Sequence, residues 1–354
     1  MSDHPRTLSV ERYGPALKAR WDAFLTTAKN ATFLFCRDYM DYHRDRFADH
    51  SLIIFEGDEV AGLLPANLAA DGSLVSHEGL TYGGLVVSHA ATLIDVLACF
   101  HAALRWLYEH HLSQLLYKRI PTFYNTLPDD EAAYALFLLE AQLRRRDCAL
   151  VVNLQHRLPL RKGRKSEISK SRRFGVRVEQ EKDFSPFWER VLVPRLADRY
   201  GVKPVHSLEE IKLLAARFPQ NIKQFSAYCG DDIVAGATIY ETPEVAHAQY
   251  SALTEEGRKM GALDYLFSQL IDDYYKHKRF FDFGIANENQ GRTLNQGLLD
   301  WKEGFGGRCY AHDFYLISTA SYVKLEPVLL HRLSELQQTA APERAALSGV
   351  SSGA

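Results

Sequence analysis

Three stretches of this chain gather the residue types from which group-transfer chemistry is built. In the first, Asn287, Glu288, Asn289, Gln290, Gly291, Arg292 and Asn295 leave the end of an apolar run, FFDFGIA, and lead into a helical pattern. Ligands of sheets with crossover helices favour such strand ends. Glu288 is placed there to accept a proton from an attacking amine, and Asn287, Arg292 or Asn295 to orient an acceptor. The same residues also fit a solvated, helix-capping loop. In the second, SHEGLTYGG (76–84) sets His77, Glu78, Thr81 and Tyr82 between glycines, which lets a ligand approach the backbone closely. The neighbouring FLFCRDYMDYH offers Arg37, Tyr39 and His43, and the strand pattern Val245 to Leu253 offers Tyr250. These are candidate acceptor-binding residues. A bulged strand and an aromatic helix face account for the same pattern.

The third stretch, HRLPLRKGRKSEISKSRRFGVRV (156–178), sets nine cations against one acid, Glu167. Ser166 and Gly175 suit the N-cap and C-cap of a short helix. So much like charge repels itself unless an anion relieves it, although charge runs are commonly solvated faces. Arg164, Lys165, Lys170 and Arg173 are therefore candidate contacts to a phosphorylated partner: a nucleotide-sugar or lipid-linked diphosphate, a CoA phosphate or a tRNA backbone.

The rest of the composition narrows the class. A formal charge of −2 over 354 residues leaves no global field for nucleic acid or membrane, so such a partner needs a local patch. The five cysteines are scattered and never form C-x-x-C, which argues against a disulfide framework, a zinc site or any other metal. No signal-like leader and no bilayer-length apolar run is visible, and a cytoplasmic location is expected. Nothing points to an oligomeric state.

The elements that must position these residues recur. FEGDEVAGLLPA (55–66) and YCGDDIVAGATI (228–239) each flank a Gly-Asp turn with apolar runs, the pattern of a β-hairpin. Each is followed by a strand pattern (Leu74 to Val87; Val245 to Leu253), a helix (91–108; 262–277), a short strand (QLLYKRI; FFDFGIA), a second helix (129–146; 294–303, with Gly304 as its C-cap) and a closing strand. The expected class is α/β (α+β): two tandem domains, each a mixed, mostly antiparallel sheet flanked by helices. Their expected limits are 1–155 and 179–337, joined by the basic segment 156–178, with a disordered tail at 338–354.

This order resembles the GNAT superfamily, and within it the tandem-GNAT group that includes Fem-type peptidoglycan aminoacyltransferases and proteins of cell-surface polysaccharide clusters. RKSEISKSRRFGVRV, ALDYLFSQLIDDYYKHKRFFDFG and GLLDWKEGFGGRCYAHDFYLI carry the likeness. The resemblance implies an acyltransferase using acetyl-CoA or another acyl-CoA, whose pyrophosphate sits on backbone amides at the start of the central helix. The matching loop is Arg258-Lys259-Met260-Gly261-Ala262, a partial match because Leu263 stands where a small residue is usual; a plain helix start explains it equally. The resemblance also implies that Lys302 contacts a phosphate or the charge developing at the acyl centre. The implied acceptor is an amino group on a sugar, peptide or lipid-linked cell-envelope precursor. Aminoacyl transfer from charged tRNA, and a non-catalytic binding module, are the alternatives.

Overall fold

The computed structural model describes residues 8–330, and the expected tail lies outside them. The chain divides into two compact units. One comprises the described residues up to Ile120, then Leu127–Arg144 and the described residues from Phe314. The other comprises Pro121–Thr126 and Arg145–Asp313. The division thus falls inside two strands, Gln142–Asn153 and Arg308–Ser318, and not in the basic segment. Among the described residues no helix is long and apolar enough to cross a membrane.

Both expected hairpins form, and their details match. In the first unit Glu56 pairs with Glu59 across Gly57 (φ +60°), and the register slips between Ile54 and Phe55. In the second, Cys229 pairs with Asp232 across Gly230 (φ +61°), and the register slips between Ala227 and Tyr228. The extra residue is Ala61 in one and Val234 in the other, each four positions after its turn glycine. A shared bulge is a more specific sign of duplication than a shared turn, because bulges are placed features of a strand.

Elsewhere local chemistry shifts the expected limits. The first unit's long helix, Leu93–Glu109, starts at a Thr92–Asp95 capping box and buries Val96, Phe100, Leu104 and Leu107 against the sheet. Its second helix stops at Leu138, not near 146; Glu140 (φ +52°) turns the chain, and the strand Gln142–Asn153 begins. The expected strand Leu74 to Val87 is two short pieces, Leu74–Val75 and Val86–Val87, with SHEGLTYGG looping between them. The basic helix runs Lys162–Arg173 with Arg161 at its N-cap, so Ser166 lies inside it; Gly175 takes the expected left-handed turn (φ +69°). The helix Gln296–Gly304 includes Gly304, and the left-handed residue beyond it is Gly306 (φ +95°).

In the second unit the strands lie in the order Arg177–Glu181, Ile222–Cys229, Asp232–Glu241, Val245–Leu253, Phe280–Ile285, Gln142–Asn153. All neighbours are antiparallel except Val245–Leu253 and Phe280–Ile285, which are parallel. One face carries Phe225, Ala237, Ile239, Ala246 and Phe281 into an apolar cluster with Leu266, Phe267 and Leu270 of the helix that begins at Ala262. The opposite face is polar. Gln224 and Thr238 pair across strands, Thr238 accepts a bond from Trp188 Nε1, and Gly236 leaves room for the Phe187 ring.

Candidate active site

The two parallel strands share only three rungs, Val245–Phe280, Ala246–Phe281 and His247–Asp282. Beyond the last rung, Ala248–Leu253 continues beside Asp232–Glu241. Ile285 pairs instead with Ala149 on the other side. The strands therefore part just past His247 and Asp282. A bulge at Gln249 decides what lines this point: Thr238 faces Tyr250, while Ile239 faces Ala248. Strand side chains alternate between faces, so one inserted residue brings His247 and Tyr250 onto the same face, the polar one.

At the last rung stands a hydrogen-bonded cluster. Asp282, 3% exposed, accepts through Oδ2 from His247 Nδ1 (2.8 Å) and the Tyr124 hydroxyl (2.8 Å), and through Oδ1 from the Gly284 amide (2.7 Å). Burial pushes the Asp282 carboxyl upward, but His247, Tyr124 and Gly284 outweigh it and hold it below the ordinary carboxylate range. An ionised carboxylate only accepts, so the proton of an uncharged His247 belongs on Nδ1 and the lone pair on Nε2. No bond to Nε2 is formed among the described residues. Gly284 takes the left-handed turn beside this ring (φ +73°), a conformation that side chains rarely adopt.

Lys302 adjoins the cluster. Its buried ammonium donates to the carbonyls of Gly284 (3.0 Å) and Ile285 (2.7 Å), pinning the strand end that follows Asp282. Burial lowers its pKa to about 8, with Asp282 opposing the fall. Further along the same face, Tyr250 hydroxyl lies 2.6 Å from His206 Nδ1 and packs edge-on to Trp188; burial raises its pKa to about 12.

The remaining sequence candidates separate. Asn287 is buried as a tether, accepting from the Cys148 amide (2.6 Å) and donating to Asp147 (2.8 Å). Asn295 caps the Gln296–Gly304 helix through Leu298 N and donates to the exposed Glu288 (2.8 Å), while Arg292 is exposed. In the first unit Arg37, Tyr39, His43, His77 and Tyr82 are all buried. Arg37 is neutralised by Asp41 and Asp49, and Tyr82 bonds Thr32. His43 stacks on His77, which holds φ +124°, and burial lowers both imidazole pKa values. The loop around them is thus packed on itself and presents none of these side chains to solvent.

The basic helix departs from the charge reasoning. Its cations are relieved by the protein's own acids: Arg157 by Asp272, Arg161 by Glu303, Arg164 by Asp264, Lys170 by Glu167 and Arg177 by Glu179. Of the four candidates, Arg164 and Lys170 are so engaged, while Lys165 and Arg173 are exposed. Part of the repulsion that suggested an external anion is relieved by Asp272, Glu303 and Asp264, acids distant in sequence. Cysteines scattered in the sequence also meet: Cys148 and Cys309 lie side by side, their Cα atoms 5.3 Å apart.

A pyrophosphate does not fit the start of the Ala262–Gln269 helix. Arg258 and Lys259 lie on a preceding helical turn, Glu255–Met260, where Arg258 pairs with Glu255. Ala262 is fully buried, and Asp264 is buried in the first turn with Arg164 and Trp301 as partners. A Cβ built on Gly261 would stand 2.9 Å from Glu167 Oε2. Carboxylates already occupy this surface.

His247, Asp282 and Tyr124 were missed by sequence reasoning. The available signal was one histidine and one aspartate set in two largely apolar strands, VAHAQY and FFDFG. Among the described residues no group of three or more His, Cys, Asp or Glu is gathered to hold a metal.

The arrangement has relatives. Residues 155–303 match the acetyltransferase (GNAT) domain family. No curated protein matches the chain in sequence. Among solved structures, FemX superposes with a TM-score of 0.62 at 11% identity, covering 90% of this chain and 99% of its own. The C-terminal domain of a putative lysylphosphatidylglycerol synthetase from Agrobacterium fabrum gives 0.50 at 11%, covering 76% and 86%. A conserved protein from Bacteroides thetaiotaomicron gives 0.51 at 10%, covering 87% and 99%. At such identities the likeness is one of fold. The match over residues 155–303 makes that part of the chain similar to GNAT acetyltransferase domains, and the mixed α/β fold is similar to that of FemX.

Proposed function

We propose that the second unit transfers an activated acyl group to an amino group, with His247 as the general base. The observation that carries this is the His247–Asp282 rung where the parallel strands part. Asp282 holds the imidazole so that Nε2 is the basic nitrogen, and Tyr124 and the Gly284 amide hold Asp282. The acceptor nitrogen attacks the acyl carbonyl carbon while Nε2 takes its proton. The new C–N bond forms, the bond from the acyl carbon to the donor's leaving atom breaks, and the proton on His247 passes to that leaving group. Such a base contributes on the order of 10²–10⁴-fold to rate. Lys302 is a positioning residue that fixes the Gly284–Ile285 backbone beside the carboxylate. Glu288, held by Asn295 and exposed, belongs to the acceptor side. The acceptor class is an amino sugar or an amine of a cell-envelope precursor.

The test uses a donor free of phosphates, acetyl-N-acetylcysteamine thioester, with glucosamine as acceptor and mass spectrometry of the product. The amide is expected to form, and His247→Gln to lower its rate at least about 100-fold. Equal rates for wild type and His247→Gln would refute the assignment. No product from this thioester, acetyl-CoA or an aminoacyl-tRNA with any amine would remove the reading altogether.

A further inference from the structure

Resting on the reading of unit 2 as an acyltransferase, we propose that the basic helix Lys162–Arg173 permanently occupies the donor-phosphate cradle, so that the acyl donor is held without a pyrophosphate at the start of the Ala262–Gln269 helix. A GNAT domain that takes CoA needs free amides and open space there, because the helix dipole and unpaired N–H groups are what bind the anion.

In this chain the amides that lead into the helix are consumed, and the space beside Gly261 is filled. The Arg258 amide donates to Thr254 O, the Gly257 amide to Thr254 Oγ1, and the Gly261 amide to Arg258 O. Gly257 is walled by the Val234 carbonyl, 2.1 Å from where a Cβ would sit. Gly261 (φ +70°) lies against residue 167: a Cβ there would meet the Glu167 backbone oxygen at 2.7 Å and its Oε2 at 2.9 Å.

Charge excludes the same ligand a second time. Asp264 in the first turn and Glu167 above it supply the negative charge that a helix start favours. Arg164 and Lys170, the candidate phosphate contacts of the sequence, pair with those two carboxylates instead. A diphosphate brought here would lose both cations and meet two anions at contact distance, which is repulsive at any plausible dielectric. Packing and ion pairs therefore point the same way. The basic helix is part of the wall and is no recognition element on this side.

The experiment is amide-resolved NMR of the full chain titrated with CoA and, separately, inorganic pyrophosphate, with the rates of acetyl-CoA and acetyl-N-acetylcysteamine compared in parallel. The expected result is no shift at Ala262, Leu263 or Asp264 and no rate advantage for acetyl-CoA beyond a few-fold. CoA that binds and shifts amides elsewhere also supports the proposal, because its phosphates then sit away from this helix. Shifts at Ala262–Asp264 accompanied by an acetyl-CoA advantage on the order of 100-fold, the benefit expected of a remote binding group, would overturn it. Absence of transfer from every donor would count against the acyltransferase reading and leave the NMR result to judge the cradle.

Discussion

Replacing Asp282 with Asn probes the site most directly, because the side chain keeps its size and loses one acceptor. The carboxylate takes three donors on two oxygens: His247 Nδ1 and Tyr124 hydroxyl on one, Gly284 N on the other. An amide has one oxygen and one NH₂, which cannot accept. If the oxygen stays toward Gly284, the NH₂ faces His247 and drives its ring to the opposite tautomer, placing the proton on Nε2. If the oxygen turns toward His247 and Tyr124, the NH₂ opposes the Gly284 amide and a buried donor is left unpaired. The second arrangement costs about 1–3 kcal/mol for the orphaned group. For a unit of this size that corresponds to a fall of roughly 2–12 °C in its melting transition. The first arrangement spares stability and removes the base, lowering transfer by about 10²–10⁴-fold. Melting by calorimetry, the tautomer by long-range ¹H–¹⁵N correlation of His247, and amide formation together read both arms. A variant that melts with the wild type, keeps the wild-type tautomer and turns over at full rate would refute the reasoning.

Two further perturbations test the surroundings. Lys302, held at about 8 against an ordinary 10.5, is protonated in the unfolded chain and deprotonated in the fold between those values. Stability should therefore rise with pH across that window, by up to about 3 kcal/mol at 1.36 kcal/mol per unit, and the Lys302→Met variant should lose this slope in urea titrations at pH 8 and pH 10. Arg37, 1% exposed between Asp41 and Asp49 and lying 3.7 Å over the Tyr13 ring, is structural. Arg37→Met should cost the first unit about 3–5 kcal/mol in denaturant and leave the acceptor KM unchanged in protein that folds; a raised KM at unchanged stability would restore it as a substrate contact.

How much was legible beforehand depends on the range of the interaction. The Gly-Asp hairpins were visible because a two-residue turn is specified by the residues in it, and both returned with the same bulge. The helix after Gly261 was visible because its stripe of Leu266, Phe267 and Leu270 is a local period. Asn287 and Arg37 looked like ligand contacts because polarity can be read from composition, whereas the partners that absorb it cannot. Asp147 is 140 positions from Asn287, and Asp49 is 12 positions from Arg37, in a strand. The basic segment misled for the same reason: its nearest sequence neighbours are cations, but its nearest spatial neighbours include Asp264, Asp272 and Glu303.

By itself, then, the sequence determined the duplicated sheet-and-helix unit and the GNAT resemblance, since periodicity, turns and caps act over a few residues. Only the tertiary structure decided which groups could do chemistry. His247 meets Asp282 through strand pairing across 35 positions, and one bulged residue at Gln249 sets the face to which Tyr250 belongs. The pairing of Arg157, Arg161 and Arg164 likewise depended on carboxylates brought near by folding. Burial and pairing are properties of the packed chain, and they determine whether an ionisable side chain is a tether, a wall or a base.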